Sequence, residues 1–319
     1  MGLILSLTMT VQRLSSLGVR ITSVTDRIHV IHGNNRGRSP FCNSFLVLDT
    51  VNMLFDTGCG IDILEKLLAE VRIDRVFVSH SHLDHTAGCR FLQERGCEIM
   101  VPEEDSDTIA TAELLATRFV GDGLFDTWME TYPALTGFRD FEITGTFSHD
   151  QEFSSGHASF VAISTPGHLN DHYCFWFPGE KVLMGFDIDL SPFGPWYGNP
   201  ECDIDLFRDS IGKVMAMPAE VYLSAHARPL KNPYISRRLN AFASFFDERD
   251  RMIMSLLEDA PSMSVEDLVR VSPFYDADHA CLTDELLWFG EEQMIRKHLV
   301  RLQEKGLIRE EGERYGIRR

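Results

Sequence analysis

The sequence predicts a layered α/β fold in which helices cover the outer faces of β-sheets. Two observations favour it: strand-like segments of period two fill the first part of the chain, and amphipathic helices then alternate with short apolar strands. A third feature is that metal-capable side chains directly follow several strands. With 319 residues, 44% of them hydrophobic and 24% charged, the chain can form one large core and a smaller appended unit.

Charge and cysteine content narrow the partners and the compartment. A formal net charge of −18 argues against nucleic acid or an anionic membrane as the main partner, although it leaves room for a local basic patch. Seven cysteines occur with no C-x-x-C pair, a pattern typical of free thiols in a reducing compartment, so we expect a cytoplasmic protein. No apolar run approaches the ~20 residues that cross a bilayer.

The first 17 residues carry no strong targeting signal. They lack the basic start and the cleavage site of a signal peptide. Met1, Gly2 and Ser6 match the short N-myristoylation pattern, for which chance is the better interpretation. Met9 is an equally good translation start, so translation of residues 1–8 stays open.

Four antiparallel strands are predicted next, because period-two hydrophobicity is interrupted by turn-rich segments such as 33–37. They are Ile21–Thr25, Arg27–Ile31, Phe41–Leu48 and Val51–Phe55. The last strand runs into the turn Asp56-Thr57-Gly58, which opens an amphipathic helix. That helix places Leu64, Leu67, Leu68 and Val71 on one face.

A metal site is predicted directly after the strand Arg75–Ser79. The six residues there read H-x-H-x-D-H and are His80, Ser81, His82, Leu83, Asp84 and His85. Extended backbone sends His80 and His82 to one side, and a turn brings Asp84 and His85 beside them. Imidazole and carboxylate are ligands that zinc and other first-row metals choose, whereas the alternative is a solvated loop rich in histidine. A helix Asp84–Glu94 and a strand Glu98–Val101 follow.

Residues 103–137 are less regular, with helices predicted at Ala110–Phe119 and Phe125–Tyr132. This segment is either an insertion that walls the site or a peripheral helical hairpin, and the sequence favours neither.

Three further strand ends supply metal-capable side chains. His168 follows a Pro-Gly turn, Asp187 and Asp189 follow an apolar strand, and His226 ends a later strand. The strands predicted in this part are Phe141–Ile143, His157–Ile163, Tyr173–Phe177, Lys181–Met184 and Val221–Leu223, with a helix at Asp203–Met217.

The chain changes character from residue 234 onward. We predict helices at Ile235–Glu258 and Glu291–Glu304, a short segment Ser264–Val269, and a small hairpin around residues 307–317. The last helix has a basic side formed by Arg296, Lys297, Arg301 and Lys305, interleaved with acidic residues. Packing beside the mouth of the site, or formation of a homodimer, is the expected role of this part.

The motif order resembles that of the metallo-β-lactamase superfamily over residues 21–230. H-x-H-x-D-H, the T-P-G-H turn, an aspartate after a V-L strand and a final strand-end histidine carry the resemblance. It implies a four-layer αββα sandwich of two mixed β-sheets flanked by helices. It also implies a catalytic domain at residues 18–232 and a helical, winged-helix-like C-terminal domain at 233–319, as in glyoxalase-II-like and endoribonuclease-like members.

The resemblance also implies a ligand set for two divalent metal ions, with zinc favoured over iron or manganese. One ion is expected on His80, His82 and His168. The second is expected on Asp84, His85 and His226, and Asp187 is expected to bridge the two ions. Asp56 matches the family aspartate that orients the motif loop.

The sequence departs from the family pattern at two of these positions. Phe186 stands where glycine usually precedes the bridging aspartate, which makes Asp189 a rival of Asp187. His226 lies outside the frequent Gly-His-Gly setting. His172 is expected beside the ligands or facing the substrate, and Cys174 is expected to be a small buried hydrophobe.

Such a site would use a metal-bridging hydroxide to attack an electrophile. Asp84 and Tyr197 are the candidate catalytic side chains, with Asp84 acting as a ligand rather than a proton shuttle and Tyr197 offering its hydroxyl to an oxyanion or leaving group. Phe193, Trp196 and Tyr197 are expected to overhang the ions on the substrate side. An aromatic loop that only closes the core is the alternative.

We therefore expect a metal-dependent hydrolase acting on a small ester, thioester or lactone. The first alternative is an endoribonuclease-like enzyme, which the winged-helix-like tail favours. The second is an iron-dependent redox enzyme of the same superfamily, since its ligand set is shared.

Overall fold

Two large β-sheets lie face to face at the centre of the computed structural model, which describes residues 2–271, 274–275 and 283–318, with residues 2–8 as backbone only. The first sheet has seven strands in the order β1 to β7, and β4 to β7 are parallel to one another. Its strands are β1 (Ile21–Ser23), β2 (Ile28–Ile31), β3 (Ser44–Val47), β4 (Met53–Phe55), β5 (Arg75–Phe77), β6 (Glu98–Pro102) and β7 (Gly145–Phe147).

The second sheet has six strands in the order β13-β12-β11-β10-β9-β8, with one parallel pair, β11 and β12. Its strands are β8 (Glu152–Ser154), β9 (Ser159–Ser164), β10 (Tyr173–Phe177), β11 (Val182–Phe186), β12 (Val221–Ser224) and β13 (Leu230–Lys231). Both sheets are therefore mixed, as the sequence predicted.

Phenylalanine fills the space between the two sheets. The ring centroid of Phe55 on the first sheet lies 5.1 Å from that of Phe160 and 4.9 Å from that of Phe175 on the second. Phe77 meets Phe160 at 5.1 Å. All four side chains are buried, and edge-to-face ring packing of this kind adds about 0.5–1.5 kcal/mol per pair beyond area burial.

Helices cover the sheets and extend beyond them. They are α1 (Gly2–Ser16), α2 (Ile61–Glu70), α3 (Leu83–Thr86), α4 (Cys89–Gln93), α5 (Ala112–Val120), α6 (Phe125–Thr136), α7 (Ile204–Met215), α8 (Tyr234–Asp259), α9 (Val265–Val271) and α10 (Asp284–Glu304). None of the helices in the described part of the chain combines the length and apolar character needed to cross a membrane. The αββα sandwich predicted from the sequence is confirmed.

A three-stranded sheet accompanies the C-terminal helices, in the order β14-β16-β15. Its strands are β14 (Met263–Ser264), β15 (Ile308–Glu311) and β16 (Arg314–Ile317). The predicted hairpin around residues 307–317 is present, whereas the division at residues 232 and 233 and the winged-helix class stay predictions.

Several boundaries differ from the predictions. The strand predicted at Phe141–Ile143 is wrong, since β7 begins at Gly145. The predicted helix Asp84–Glu94 is two short helices, and the last long helix begins at Asp284, seven residues earlier than predicted. The sequence did not predict α1, β8, β13 or β14. Of the myristoylation pattern, Met1 lies outside the described residues.

Candidate metal centre

The metal-capable side chains gather where parallel strands end. Since β4 and β5 are parallel, their carboxyl ends coincide and place Asp56 beside the motif loop. In the other sheet, the parallel pair β11 and β12 delivers Asp187 and His226 to the same edge. His168 comes from the turn between β9 and β10.

Three imidazoles and one carboxylate form the first group. His80, His82, His168 and Asp187 offer ligand atoms that all lie within 4.8 Å of one another. His82 Nδ1 is 3.1 Å from His80 Nε2 and 3.0 Å from His168 Nε2. We call His80, His82 and His168 the three-histidine half.

The second group consists of Asp84, His85 and His226, whose ligand atoms also lie within 4.8 Å of one another. Asp84 Oδ2 is 3.6 Å from His226 Nε2 and 3.9 Å from His85 Nε2. We call these residues the aspartate–histidine half. All residues predicted as metal ligands are thus brought together in two adjacent groups.

Asp187 lies between the two halves, with one carboxylate oxygen toward each. Its Oδ2 is 3.3 Å from His168 Nε2 and 3.8 Å from His80 Nε2. Its Oδ1 is 3.1 Å from His85 Nε2 and 3.3 Å from His226 Nε2. This placement is what a bridging carboxylate requires.

Four of the imidazoles are oriented so that Nε2 is directed inward. His85 Nδ1 donates to Asp56 Oδ2 at 2.6 Å, and His80 Nδ1 donates to Ser79 Oγ at 2.9 Å. Ser79 Oγ in turn donates to Asp56 Oδ2 at 2.7 Å. Asp56 therefore contacts His85 directly and His80 through Ser79, which is the position that a ring-orienting carboxylate would take.

Backbone carbonyls orient two further rings. His168 Nδ1 donates to the Trp196 carbonyl at 2.8 Å, and His226 Nδ1 donates to the Gly37 carbonyl at 2.6 Å. His82 is turned the other way, with Nε2 outward and 2.9 Å from the side-chain amide nitrogen of Asn199. Each ring thus directs one nitrogen toward the cluster.

The inward-facing atoms fit divalent cations. Within the described part of the chain, His85 Nε2 and Asp187 Oδ1 are buried and form no hydrogen bond of good geometry, although they lie 3.1 Å from each other. Lone pairs only 3.0–3.1 Å apart repel unless a proton or cation lies among them. Buried polar atoms left unpaired are costly, and coordination to a metal removes that cost.

Burial and the carboxylates move the pKa values of the two halves apart. Burial lowers the pKa of His80 and of His82 well below the usual range, and neighbouring imidazoles act in the same direction. For His85 and His226, burial acts the same way, but the surrounding carboxylates together raise both pKa values, that of His226 to about 9: Asp187 and Asp84 act on both rings, and Asp56 acts on His85 as well. The aspartate–histidine half is the more negative environment.

His172 supports the bridging residue. Its Nδ1 donates to the Thr165 carbonyl at 3.1 Å, and its Nε2 accepts from the Asp187 backbone N–H at 3.3 Å. Burial lowers the pKa of His172 to about 3, so the ring is a neutral acceptor. His172 therefore lies beside the ligands, the first of the two placements expected for it.

The backbone is strained at Phe186, which stands where the family usually has glycine before the bridging aspartate. Phe186 has φ +46°, a left-handed conformation that glycine adopts readily and phenylalanine rarely does. The turn that aims Asp187 inward therefore persists without glycine. Asp189 accepts a hydrogen bond from the Ser191 backbone N–H at 2.9 Å and belongs to neither group of ligand atoms among the described residues.

The insertion contacts the motif loop. Arg118 on α5 donates to Ser81 Oγ at 3.0 Å, and it is held by Glu201 and by Asp105 Oδ2 at 2.9 Å. The ring of Phe119 lies 5.5 Å from that of His82. Of the two interpretations of residues 103–137, the wall of the site is the better one.

The structure does not bring Tyr197 to the cluster. Its buried hydroxyl contacts His298 Nε2 at 2.7 Å and accepts from Arg249 Nη1 at 3.0 Å. The expectation that Tyr197 faces the substrate as a catalytic residue is therefore corrected to a structural contact with α8 and α10. Trp196 remains near the site, with its ring 5.3 Å from that of His82.

Phe193 stacks on Tyr275 at 5.6 Å, close to the C-terminal helices. The guanidinium carbon Cζ of Arg249 lies 4.8 Å from the centroid of the Phe193 ring. The loop that carries Phe193 and Trp196 thus contacts both the candidate metal centre and the C-terminal helices.

The positions of Arg118, Glu201 and Asn199 were not predicted as functional. They lie in segments without a motif, and no sequence signal singles them out. Arg118 contacts Ser81, Asn199 contacts His82, and Glu201 holds Arg118; these contacts arise only when distant segments pack together.

Two mixed sheets with imidazoles and carboxylates at their common edge define a metal-dependent αββα protein. A family model described as the metallo-beta-lactamase superfamily matches residues 38–226, more than half of the chain. The chain belongs to this superfamily, which includes metal-dependent hydrolases. The resemblance predicted from the motifs is confirmed.

Curated relatives are distant. A lactamase-like protein of Arthroderma benhamiae is 25% identical over 248 residues, 74% of this chain and 47% of the relative. A hydroxyacylglutathione hydrolase of Francisella tularensis subsp. novicida is 22% identical over 237 residues, 73% of this chain and 82% of that relative. The chain spans only about half to two thirds of the length of several of these relatives.

A solved structure of a metallo-beta-lactamase family protein from Thermus thermophilus has a TM-score of 0.71 at 18% identity. The match covers 93% of this chain and all of the other. A beta-lactamase domain protein from Burkholderia ambifaria has a TM-score of 0.68 at 18% identity and 93% coverage of each chain. These similarities extend the shared fold through the C-terminal elements.

Proposed function

We propose that the protein is a dinuclear metal-dependent hydrolase that acts on a small ester, thioester or lactone. The observation that carries the proposal is the placement of Asp187, whose two oxygens face two separate groups of imidazoles at 3.1–3.8 Å. Relatives named hydroxyacylglutathione hydrolase support the choice of substrate class.

Each residue has a defined part in this proposal. His80, His82 and His168 would hold one ion, and Asp84, His85 and His226 the other, with Asp187 shared. Two bound divalent ions would supply a hydroxide near neutral pH and polarise the substrate carbonyl. Asp84 acts as a ligand, because its carboxylate is directed at His226 and His85. Zinc is the favoured ion, since imidazole and carboxylate suit it.

The basic side of α10 does not favour nucleic acid. All four cations of this side are engaged within the chain. Arg296 donates to Glu292 at 2.8 Å, and Lys297 donates to the Asn199 carbonyl at 2.8 Å. Lys305 donates to Asp250 at 2.7 Å, and Arg301 forms ion pairs with Asp247 and Asp250. Cations already engaged within the chain are less available to phosphates. The endoribonuclease-like and iron-dependent alternatives stay predictions.

Chelation and reloading test the proposal. The protein is stripped with a chelator, reloaded separately with zinc, manganese or iron(II), and assayed on a panel of esters, thioesters and lactones with an RNA and a phosphodiester as comparators. We expect hydrolysis of at least one ester, thioester or lactone, and this activity should disappear when the metal is removed and return when it is reloaded. A fully loaded, folded protein with no turnover across the carbonyl panel would contradict the proposal.

A further inference from the structure

Two of the imidazoles in the three-histidine half take their orientation from one loop, residues 191–199. The Trp196 carbonyl accepts from His168 Nδ1 at 2.8 Å, and the Asn199 side-chain amide lies 2.9 Å from His82 Nε2. The loop therefore sets which nitrogen each ring directs toward the cluster.

The C-terminal helices hold this loop by its carbonyls. Arg249 on α8 donates to Pro195 at 2.5 Å and to Phe193 at 2.8 Å, and its side chain is buried. Lys297 on α10 donates to the Asn199 carbonyl at 2.8 Å. Both cations thus bind the segment that carries the partners of His82 and His168.

Backbone contact makes this attachment close. A Cβ added to Gly198 would lie 3.1 Å from the Cα of Gly290 on α10 and 2.6 Å from the Trp196 ring. A side chain at residue 198 would therefore crowd both the Trp196 ring and the backbone of α10, so the loop and the helix lie in close contact. A displacement of α10 therefore moves the backbone between Trp196 and Asn199.

We propose that Arg249 and Lys297 are positioning residues for the three-histidine half, so that the C-terminal helices set the metal affinity of that half alone. The inference rests on the proposed function only in requiring that the chain binds metal. The rings of the other half take their orientation from Asp56 and from the Gly37 carbonyl, and among the described residues neither group forms a hydrogen bond or ion pair with α8 or α10.

Lys297 acts through the amide of Asn199. A metal on His82 Nδ1 requires a proton on Nε2, and this N–H needs an acceptor. The side-chain amide can present Oδ1 to it after a half turn, provided that the Asn199 backbone stays in place. The Lys297 hydrogen bond to the Asn199 carbonyl fixes that backbone.

The test compares Lys297→Met with Arg296→Met, its neighbour on the same helix. Arg296 is exposed and pairs only with Glu292 among the described residues, so it is a matched control. Zinc content after dialysis and zinc affinity by chelator competition are measured on the full chain. We expect Lys297→Met to weaken one of two bound ions by about 10–100-fold, the usual effect of losing a partner that orients a ligand, and Arg296→Met to match the wild type.

Two variants that each lack one ligand show which half is affected by Lys297→Met. In His226→Ala, where the three-histidine half holds the remaining ion, Lys297→Met should weaken that ion. In His168→Ala, where the other half holds it, Lys297→Met should have no effect. Lys297→Arg should restore the affinity, because it keeps a donor at this position.

A second variant, Arg249→Lys, keeps the charge but loses the two-carbonyl contact and should weaken the same ion. Unchanged affinity for both ions in folded Lys297→Met and Arg249→Lys protein would overturn the inference, as would equal loss in the two backgrounds. The proposed function is judged separately: a wild type that binds two ions without turnover contradicts the function and leaves the inference standing.

Discussion

The two halves of the candidate metal centre differ in the part of the fold that supplies the groups orienting their imidazoles. In the aspartate–histidine half, a buried carboxylate at the end of the adjacent strand holds His85, and a backbone carbonyl holds His226. In the three-histidine half, His82 and His168 depend on neutral groups of the 191–199 loop. The groups that orient one half thus lie within the sandwich, while the loop that orients the other is bound by Arg249 and Lys297 of the C-terminal helices.

The charge around the imidazoles also differs between the two halves. Hydrogen bonds to an ionised carboxylate are stronger than those to neutral acceptors, and a carboxylate partner makes an imidazole more basic. Against the opposing effect of burial, Asp187 and the orienting Asp56 raise the pKa of His85, whereas Asp187 and Asp84 raise that of His226, whose orienting partner is the neutral Gly37 carbonyl. The comparison teaches that two adjacent ligand groups that share one carboxylate can be oriented by different parts of the fold.

The largest effect is expected from the residue that the halves share. Asp187→Asn removes the charge that faces both, so both ions should bind more than about 100-fold more weakly, beyond the usual effect of losing an orienting partner. Asp189→Asn is the matched control and should cause a smaller loss. Zinc content and turnover are measured on both; a greater loss in Asp189→Asn would make Asp189 the bridge.

A smaller and one-sided effect is expected from Asp56→Asn. The amide cannot supply the charged acceptor for His85 Nδ1, so the ion of the aspartate–histidine half should weaken by about 10–100-fold. The other half is affected only through Ser79 and His80, and less strongly. Chelator competition in the His226→Ala and His168→Ala backgrounds measures each half. Equal weakening of both halves would contradict the division.

The last effect concerns the stability of the fold rather than metal affinity and is expected from Asp250, which joins α8 to α10. Although burial acts in the opposite direction, hydrogen bonds from His298 and Lys305 hold the Asp250 pKa below its usual range. A lowered pKa in the folded state stabilises the fold above the unfolded pKa of about 4, and this contribution is lost as the pH falls through the folded value.

Asp250→Asn should therefore lower the free energy of unfolding by about 1.5–3 kcal/mol at pH 7, the range for hydrogen bonds to charged groups. The difference from wild type should shrink as the pH falls below about 4. Urea unfolding of metal-free protein at several pH values measures this difference in free energy. The control is Glu220→Gln, which removes one partner of the exposed ion pair between Lys181 and Glu220. A difference that stays constant down to pH 2 would contradict the assignment to Asp250.

Local patterns predicted the fold well, and they named residues that the structure brings together at the candidate metal centre, because both depend on period and on order along the chain. Alternating hydrophobicity predicted most strands, and strand ends predicted His168, Asp187 and His226. The strand at Phe141–Ile143 was wrong because a short apolar run has no period of its own, and β7 pairs with β6 only from Gly145. Short strands such as β13 exist through pairing with a neighbour, which no local pattern encodes.

The sequence by itself determined the ligand types, their order and the layered architecture that brings strand ends to one edge. Tertiary structure decided the rest: which nitrogen of each imidazole faces the cluster, and that the Tyr197 hydroxyl turns away toward His298. The physical reason is distance along the chain. Asn199 lies 117 residues from the histidine it orients, and Lys297 a further 98 from Asn199. Such contacts form only when the whole core packs, so the support of the three-histidine half is a property of the fold.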